Sequence, residues 1–376
     1  MFKKIITFLL LAVLIYACGS DSETDLGTTD NFNRGALLIN VADNIIIPAF
    51  QDFSDKLSEL KTTSEAFNNN PNTTNLETLR SSWLQSYKAW QHVEMYDIGK
   101  AIDFGTDTRT GGTGFSAHFN VFPLTVATVE SNVANGAYNF DEIPNYSAQG
   151  FPALDYLLYG VAADDTAIIE KYTTNASAVN YKKYISDIVD KMIAVNSQIL
   201  NDWKDNFRDT FVTSTANTAT SSLNKLINDF IFNYEKNFRA KKIGIPVGVF
   251  SSSSLPEKVE GLYAKDNSKQ LALEALISIE RVFNGTSFNG TASGIGFKNY
   301  LEELDRADIA NAITNQLAIA RKQINGLNDN LYQQIIDNES NLLNVYSEIQ
   351  KVVVLLKVDM LNAFNVSLDY ADADGD

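Results

Sequence analysis

Apolar residues recur in this chain at spacings of three and four, over and over, and that period admits helices and little else. Ile185, Ile188, Met192, Val195 and Ile199 form one such series, and Leu223, Leu226, Phe230, Tyr234 and Phe238 a second. Ile309, Ile313, Leu317, Ala320, Ile324 and Leu327 form a third, and Leu331 to Met360 is a further striped segment. Each series lays an apolar stripe along one face of a helix, which must be buried against another element. Period-two alternation is scarce, and the seven prolines mostly fall at plausible helix ends or in loops. The expectation is an all-α protein of two related helical bundles, with an internal duplication. Helices are expected over about 34–67, 75–101, 117–135, 151–160, 166–206, 217–240, 256–283, 297–327 and 331–360. The Thr-, Ser- and Asn-rich stretch 209–220 separates the halves, giving an N-terminal bundle at 34–208 and a C-terminal one at 209–376.

The first 33 residues are of another kind. Lys3 and Lys4 precede an apolar run from Ile5 to Ile15, too short to span a bilayer as a stable helix. Ile15-Tyr16-Ala17-Cys18 resembles a bacterial lipobox, and Cys18 is the only cysteine in 376 residues. Residues 1–17 are therefore expected to be a lipoprotein signal peptide and Cys18 the lipidated residue. Residues 18–33 would follow as a flexible tether, acidic like the surface-export signals of Bacteroidota lipoproteins. The localisation that follows is the outer membrane, facing the periplasm or the cell surface. With Cys18 acylated no thiol remains, which excludes disulfides, thiolate metal sites and a cysteine nucleophile. A formal charge of −16 excludes nucleic acid as a partner, because Lys and Arg must replace its counterions.

Two carboxylates fall on apolar faces. Trp83, Tyr87, Trp90 and Glu94 are spaced i, i+4, i+7 and i+11, which places Glu94 beside three large aromatics on one helix. In Gly150-Phe151-Pro152-Ala153-Leu154-Asp155, proline in the first turn starts a helix and Asp155 sits inside the stripe of Phe151, Leu154 and Leu158. A carboxylate there must be paired, hydrogen-bonded or a ligand. The two histidines lack metal-ligand spacing. His92 is expected to face solvent and His118 to pack in its loop. The Gly111-Gly112-Thr113-Gly114 loop lacks the Lys-Ser/Thr of a phosphate loop. Asp372, Asp374 and Asp376 imitate the start of a calcium loop, but the chain stops short of the bidentate Glu.

These segments together resemble the imelysin-like proteins. Their signature is Gly-x-His-x-x-Glu followed by Tyr-Leu-Leu; here Gly150 matches the Gly, Pro152 occupies the His position and Asp155 the Glu position. The helix from Trp83 to Glu94, the segment Lys242-Ile243-Gly244-Ile245-Pro246-Val247-Gly248 and the acidic end extend the likeness over nearly the whole mature chain. The resemblance implies two bundles with a pocket between them. It also implies a role in iron or haem uptake, or metal-dependent peptidase activity. Pro152 removes the nitrogen ligand of the motif, so no metal ligands are assigned and catalysis is left open. Three readings follow. One is a binding module holding a small ligand or peptide near Glu94, Trp90, Trp83, Gly150, Pro152 and Asp155. The others are a metallopeptidase and a surface scaffold with a lost site.

Overall fold

A computed structural model describes residues 30–370. The expected signal peptide, Cys18, most of the expected tether and the acidic end from Asp372 lie outside the described residues. Among the described residues the fold is all-α, as expected; the one β-pairing is an isolated bridge between Thr286 and Ser293.

The first helix, α1 (Arg34–Asn69), is capped by Asn33, whose side chain accepts from the Ala36 amide. Its stripe of Phe50, Phe53, Leu57, Leu60 and Phe67 is fully buried. Although α1 is long and apolar enough to cross a membrane, that face is consumed by the core. Pro48 lies in this helix without breaking it. The chain widens to a π-turn over Ala42–Ile46 just before it. A proline at 48 has no N–H for the Asn44 carbonyl. That oxygen instead accepts from the Phe288 amide at 2.7 Å, and one turn earlier Asn40 donates to the carbonyls of Gly285 and Ile295. The defect in α1 is thereby a dock for a loop more than 240 residues away.

The remaining helices are α2 (Thr73–Trp90), α3 (Val126–Asn135), α4 (150–160), α5 (Asp165–Thr173), α6 (178–213), α7 (222–244), α8 (Ser268–Asn284), α9 (Phe297–Glu303), α10 (Ala307–Asn325) and α11 (331–364). α1 packs on α2 and α6, and α10 on α8 and α11. Their buried apolar side chains form one continuous core.

Several expected boundaries shift for identifiable reasons. The helix expected to 101 ends at Trp90, where the amides of Gln91, His92 and Val93 bond three residues back and tighten the chain into turns. The helix expected over 117–135 begins only at Val126. The segment 256–267 holds only a single 3-10 turn, Pro256–Lys258, before Gly261 (φ 70°) and Lys265 (φ 53°) turn the backbone left-handed. Left-handed Asp305 splits 297–327 into α9 and α10, and Asn338 kinks α11. The second half of α7, Asn233–Gly244, is a wide π-helix, which sequence period does not reveal.

Candidate functional site

The site starts at Gly150. Its φ is 70°, and a Cβ there would lie 2.2 Å from the Phe119 carbonyl oxygen, so only glycine fits. The close approach lets the Phe151 amide donate to that same oxygen at 2.7 Å. α4 then begins against the 119–124 segment. Phe151 stacks on Tyr87 with centroids 4.5 Å apart, and its carbonyl accepts from Trp83 Nε1 at 3.2 Å, which ties α4 to α2. Trp90 stacks on Phe119 in the core. Trp83 and Trp90 thus hold the site together from behind and touch neither cavity described below.

Asp155 follows one turn on, 2% exposed. Its Oδ2 accepts from the Tyr263 amide at 2.9 Å and its Oδ1 from the Ala264 amide at 2.7 Å. Burial pushes its carboxyl up to about 7; the two amides pull the other way and the negative charge of Glu260 adds to the rise. Asp155 and Pro152 border a cavity of about 210 Å³ closed by Phe122, Pro123, Glu257 and the 259–263 turn.

Behind the same turn, Glu260 is buried on the opposite side. Lys242, 2% exposed at the end of α7, donates to both its oxygens, at 2.9 and 2.8 Å. Glu260 Oε1 also accepts from Asn120 (2.9 Å) and Gln91 (3.2 Å), and Asn120 Oδ1 accepts from the Tyr87 hydroxyl at 2.6 Å. Glu94 stands 3.7 Å from the Lys242 ammonium. Burial first, then the charges of Glu260, Asp155 and Glu94, holds the Tyr87 hydroxyl far above its ordinary range. All three carboxylates therefore act on one phenol. Glu94 itself borders a second space of about 20 Å³ with Asn233, Asn237 and Lys241, roomy enough for about one water-sized molecule. Burial pushes the Lys241 ammonium down, against the pull of Glu94.

Glu94 and Asp155 thus join one electrostatic network but open into different cavities. Glu94 does so from the turn after α2 rather than from the expected helix. Lys242, Glu260 and Asn120 escaped the sequence reading. Lys242 carried a signal, a charge inside the conspicuous Lys-Ile-Gly-Ile-Pro segment; Glu260 carried none, because Val-Glu-Gly-Leu reads as the start of a helix.

The histidines lie elsewhere. His92, expected at the surface, is buried. Its Nδ1 accepts from Arg281 at 2.9 Å, which leaves its Nε2–H to donate to Glu274 at 3.2 Å. Burial lowers its pKa, and Arg281 adds to that. His118 packs in its loop as expected, 3.3 Å from Gln149 Oε1. Among the described residues no three His, Cys, Asp or Glu side chains are grouped to hold a metal ion. Asp155 is spent on amides and Glu260 on an ammonium, so these residues do not fit a tightly held resident metal.

The family model for imelysin, peptidase M75, matches residues 46–357. An imelysin-like protein from Psychrobacter arcticum 273-4 has a similar structure, with a TM-score of 0.67 at 17% identity, covering 89% of this chain and 96% of that one. A putative iron-regulated protein A precursor from Parabacteroides distasonis ATCC 8503 gives a TM-score of 0.68 at 14% identity, covering 93% and 97%. No curated protein matches.

Proposed function

The chain belongs to the imelysin family, and on that premise we propose that it is a ligand-binding module of iron acquisition, lipid-anchored through Cys18 to the outer membrane. The reading includes two bundles, 34–208 and 209–376, with the ligand held between them. The observation that carries it is the cavity of about 210 Å³ built directly on the family signature, with Pro152 and Asp155 in its wall. Its volume lies below the roughly 300–1,000 Å³ of pockets for drug-sized ligands, which favours iron in a compact complex over a haem macrocycle. Support for the iron link comes from the structural likeness to a putative iron-regulated protein A precursor.

Thermal melts with ferric citrate, haemin and free Fe(III) test the reading. A ligand at a hundredfold excess over Kd stabilises by about 2.7 kcal/mol. A shift with ferric citrate that disappears in Glu257→Lys, an exposed residue on the cavity rim, supports it. No shift with any of the three removes it. Labelling of the protein by a fatty-acid analogue, lost in Cys18→Ser, checks the anchor.

The family model's description favours one further reading, metal-dependent peptidase activity. It predicts chelator-sensitive cleavage of an unfolded substrate such as casein, abolished in Glu94→Gln.

A further inference from the structure

We propose a second ligand site, a cleft at the start of α7 that takes an amphipathic monocarboxylate, a single anionic head on an apolar body. The cleft measures about 570 Å³ and shares no residue with the cavity at Asp155. Its volume is within the range of sites that enclose a small organic molecule.

The floor is apolar. Ile98, Phe207 and Phe211 line it, and Ile102 stands 58% exposed at its edge. Gly99 makes this floor possible: its φ is 63°, and a Cβ would lie 2.6 Å from the Phe207 ring, so the ring rests directly on bare backbone. Trp203 packs against Phe207 and Phe211 from beneath and fixes both rings.

One end of the cleft is built for an anion. Ser222, in the first turn of α7, is only 7% exposed, yet its hydroxyl has no hydrogen-bond partner among the described residues while it borders the cleft. The neighbouring Ser221 hydroxyl donates to the Thr218 carbonyl and to Asn224, so it does not cap the helix amides. Lys225, three residues after Ser222 and on the same face, is exposed and makes no ion pair among the described residues. The positive end of a long helix, a free hydroxyl and an unspent ammonium thus all belong to the cleft's lining.

Asp97 and Asp369 also border the cleft, and Asp97 already accepts from Thr108 at 2.9 Å. Their charges oppose any anionic head, a doubly charged phosphomonoester about twice as strongly as a single carboxylate, so of the two the carboxylate is the better tolerated. The body then lies over Phe207, Phe211 and Ile102.

Calorimetric titration of the protein with sodium decanoate tests this, with decyl phosphate in parallel. The expected result is one decanoate per chain, at least tenfold weaker binding in Lys225→Ala, none in Ile102→Glu, and weaker binding of decyl phosphate. Both substituted residues are exposed, and circular dichroism checks that the variants fold. Absence of saturable binding, several equivalents bound regardless of variant, undiminished affinity in Lys225→Ala, or tighter binding of decyl phosphate would each overturn the proposal.

Discussion

Two polar seams tie the turns after α2 to the second half of the chain, one at the 260 turn and one at α8, and they solve the same problem in opposite ways. Around Glu260, two carboxylates share the Lys242 ammonium, every charged group is buried, and amides from Asn120 and Gln91 fill the remaining acceptor sites. Around His92, by contrast, the joining group is neutral. The imidazole accepts from a cation on one nitrogen and donates to a carboxylate on the other. The first seam depends on charges being present; the second depends on one charge being absent. A buried ion pair is weak evidence for net stability, but breaking one partner leaves an uncompensated charge. A neutral imidazole held between Arg281 and Glu274 is instead a point where acid acts.

Removing the shared cation gives the largest expected effect. Lys242→Met takes from Glu260 the ammonium bonded to both its oxygens and leaves only Lys241 near Glu94, and urea unfolding should report a loss of about 3–5 kcal/mol. Adding Glu260→Gln to that variant should recover much of it. If the double variant is no more stable than the single one, the seam is not held by charge.

Next comes the latch on the 260 turn. Asp155→Ala strips the acceptor from two half-buried amides at once and should cost roughly 2 kcal/mol, the low end of about 1–3 kcal/mol per unsatisfied group. The pH sign is specific. The folded-state pKa of Asp155 is raised from 3.8 to about 7, so its contribution is full below about 4 and is lost as pH rises through 7. Asp155→Asn should flatten stability across that window. Unchanged pH dependence in the variant would show that Asp155 does not titrate there.

The smallest effect belongs to His92. Its pKa is lowered in the folded state, so the unfolded chain takes up a proton first and stability falls as pH drops below about 6.5. A proton on Nδ1 would also turn an acceptor into a donor facing Arg281, with Lys88, Glu274 and Asp52 as the other charges around the ring. His92→Gln should remove that acid sensitivity. Midpoints of thermal unfolding at pH 5 and 7 decide it.

The two seams also differ in how far sequence reveals them. The buried carboxylates Glu94 and Asp155 were legible, because an acid inside an apolar stripe is conspicuous at helical period. Gly150 was legible as part of a motif, though its reason, the Phe119 carbonyl, was not. Lys242 and Glu260 were not: they meet across 18 residues of irregular chain, and Asn120, 140 residues away, completes the group, so no helical period marks them. His92 misled for a related reason: it was projected onto a helix that stops at Trp90, and its partners come from α8. The all-α class followed from periodicity. The π-turns did not, because a single extra residue per turn is invisible to a stripe of three and four.

Pro48 makes α1 a ruler with one marked graduation. The Asn44 carbonyl it frees is the point to which the 285–295 loop is pinned. One residue added between Asn44 and Pro48 would turn that oxygen by about 100° and shift it about 1.5 Å. Length in α1 is therefore a coordinate shared with a distant part of the chain. Insertions before Asn33 leave it alone, whereas an insertion a turn later displaces the loop.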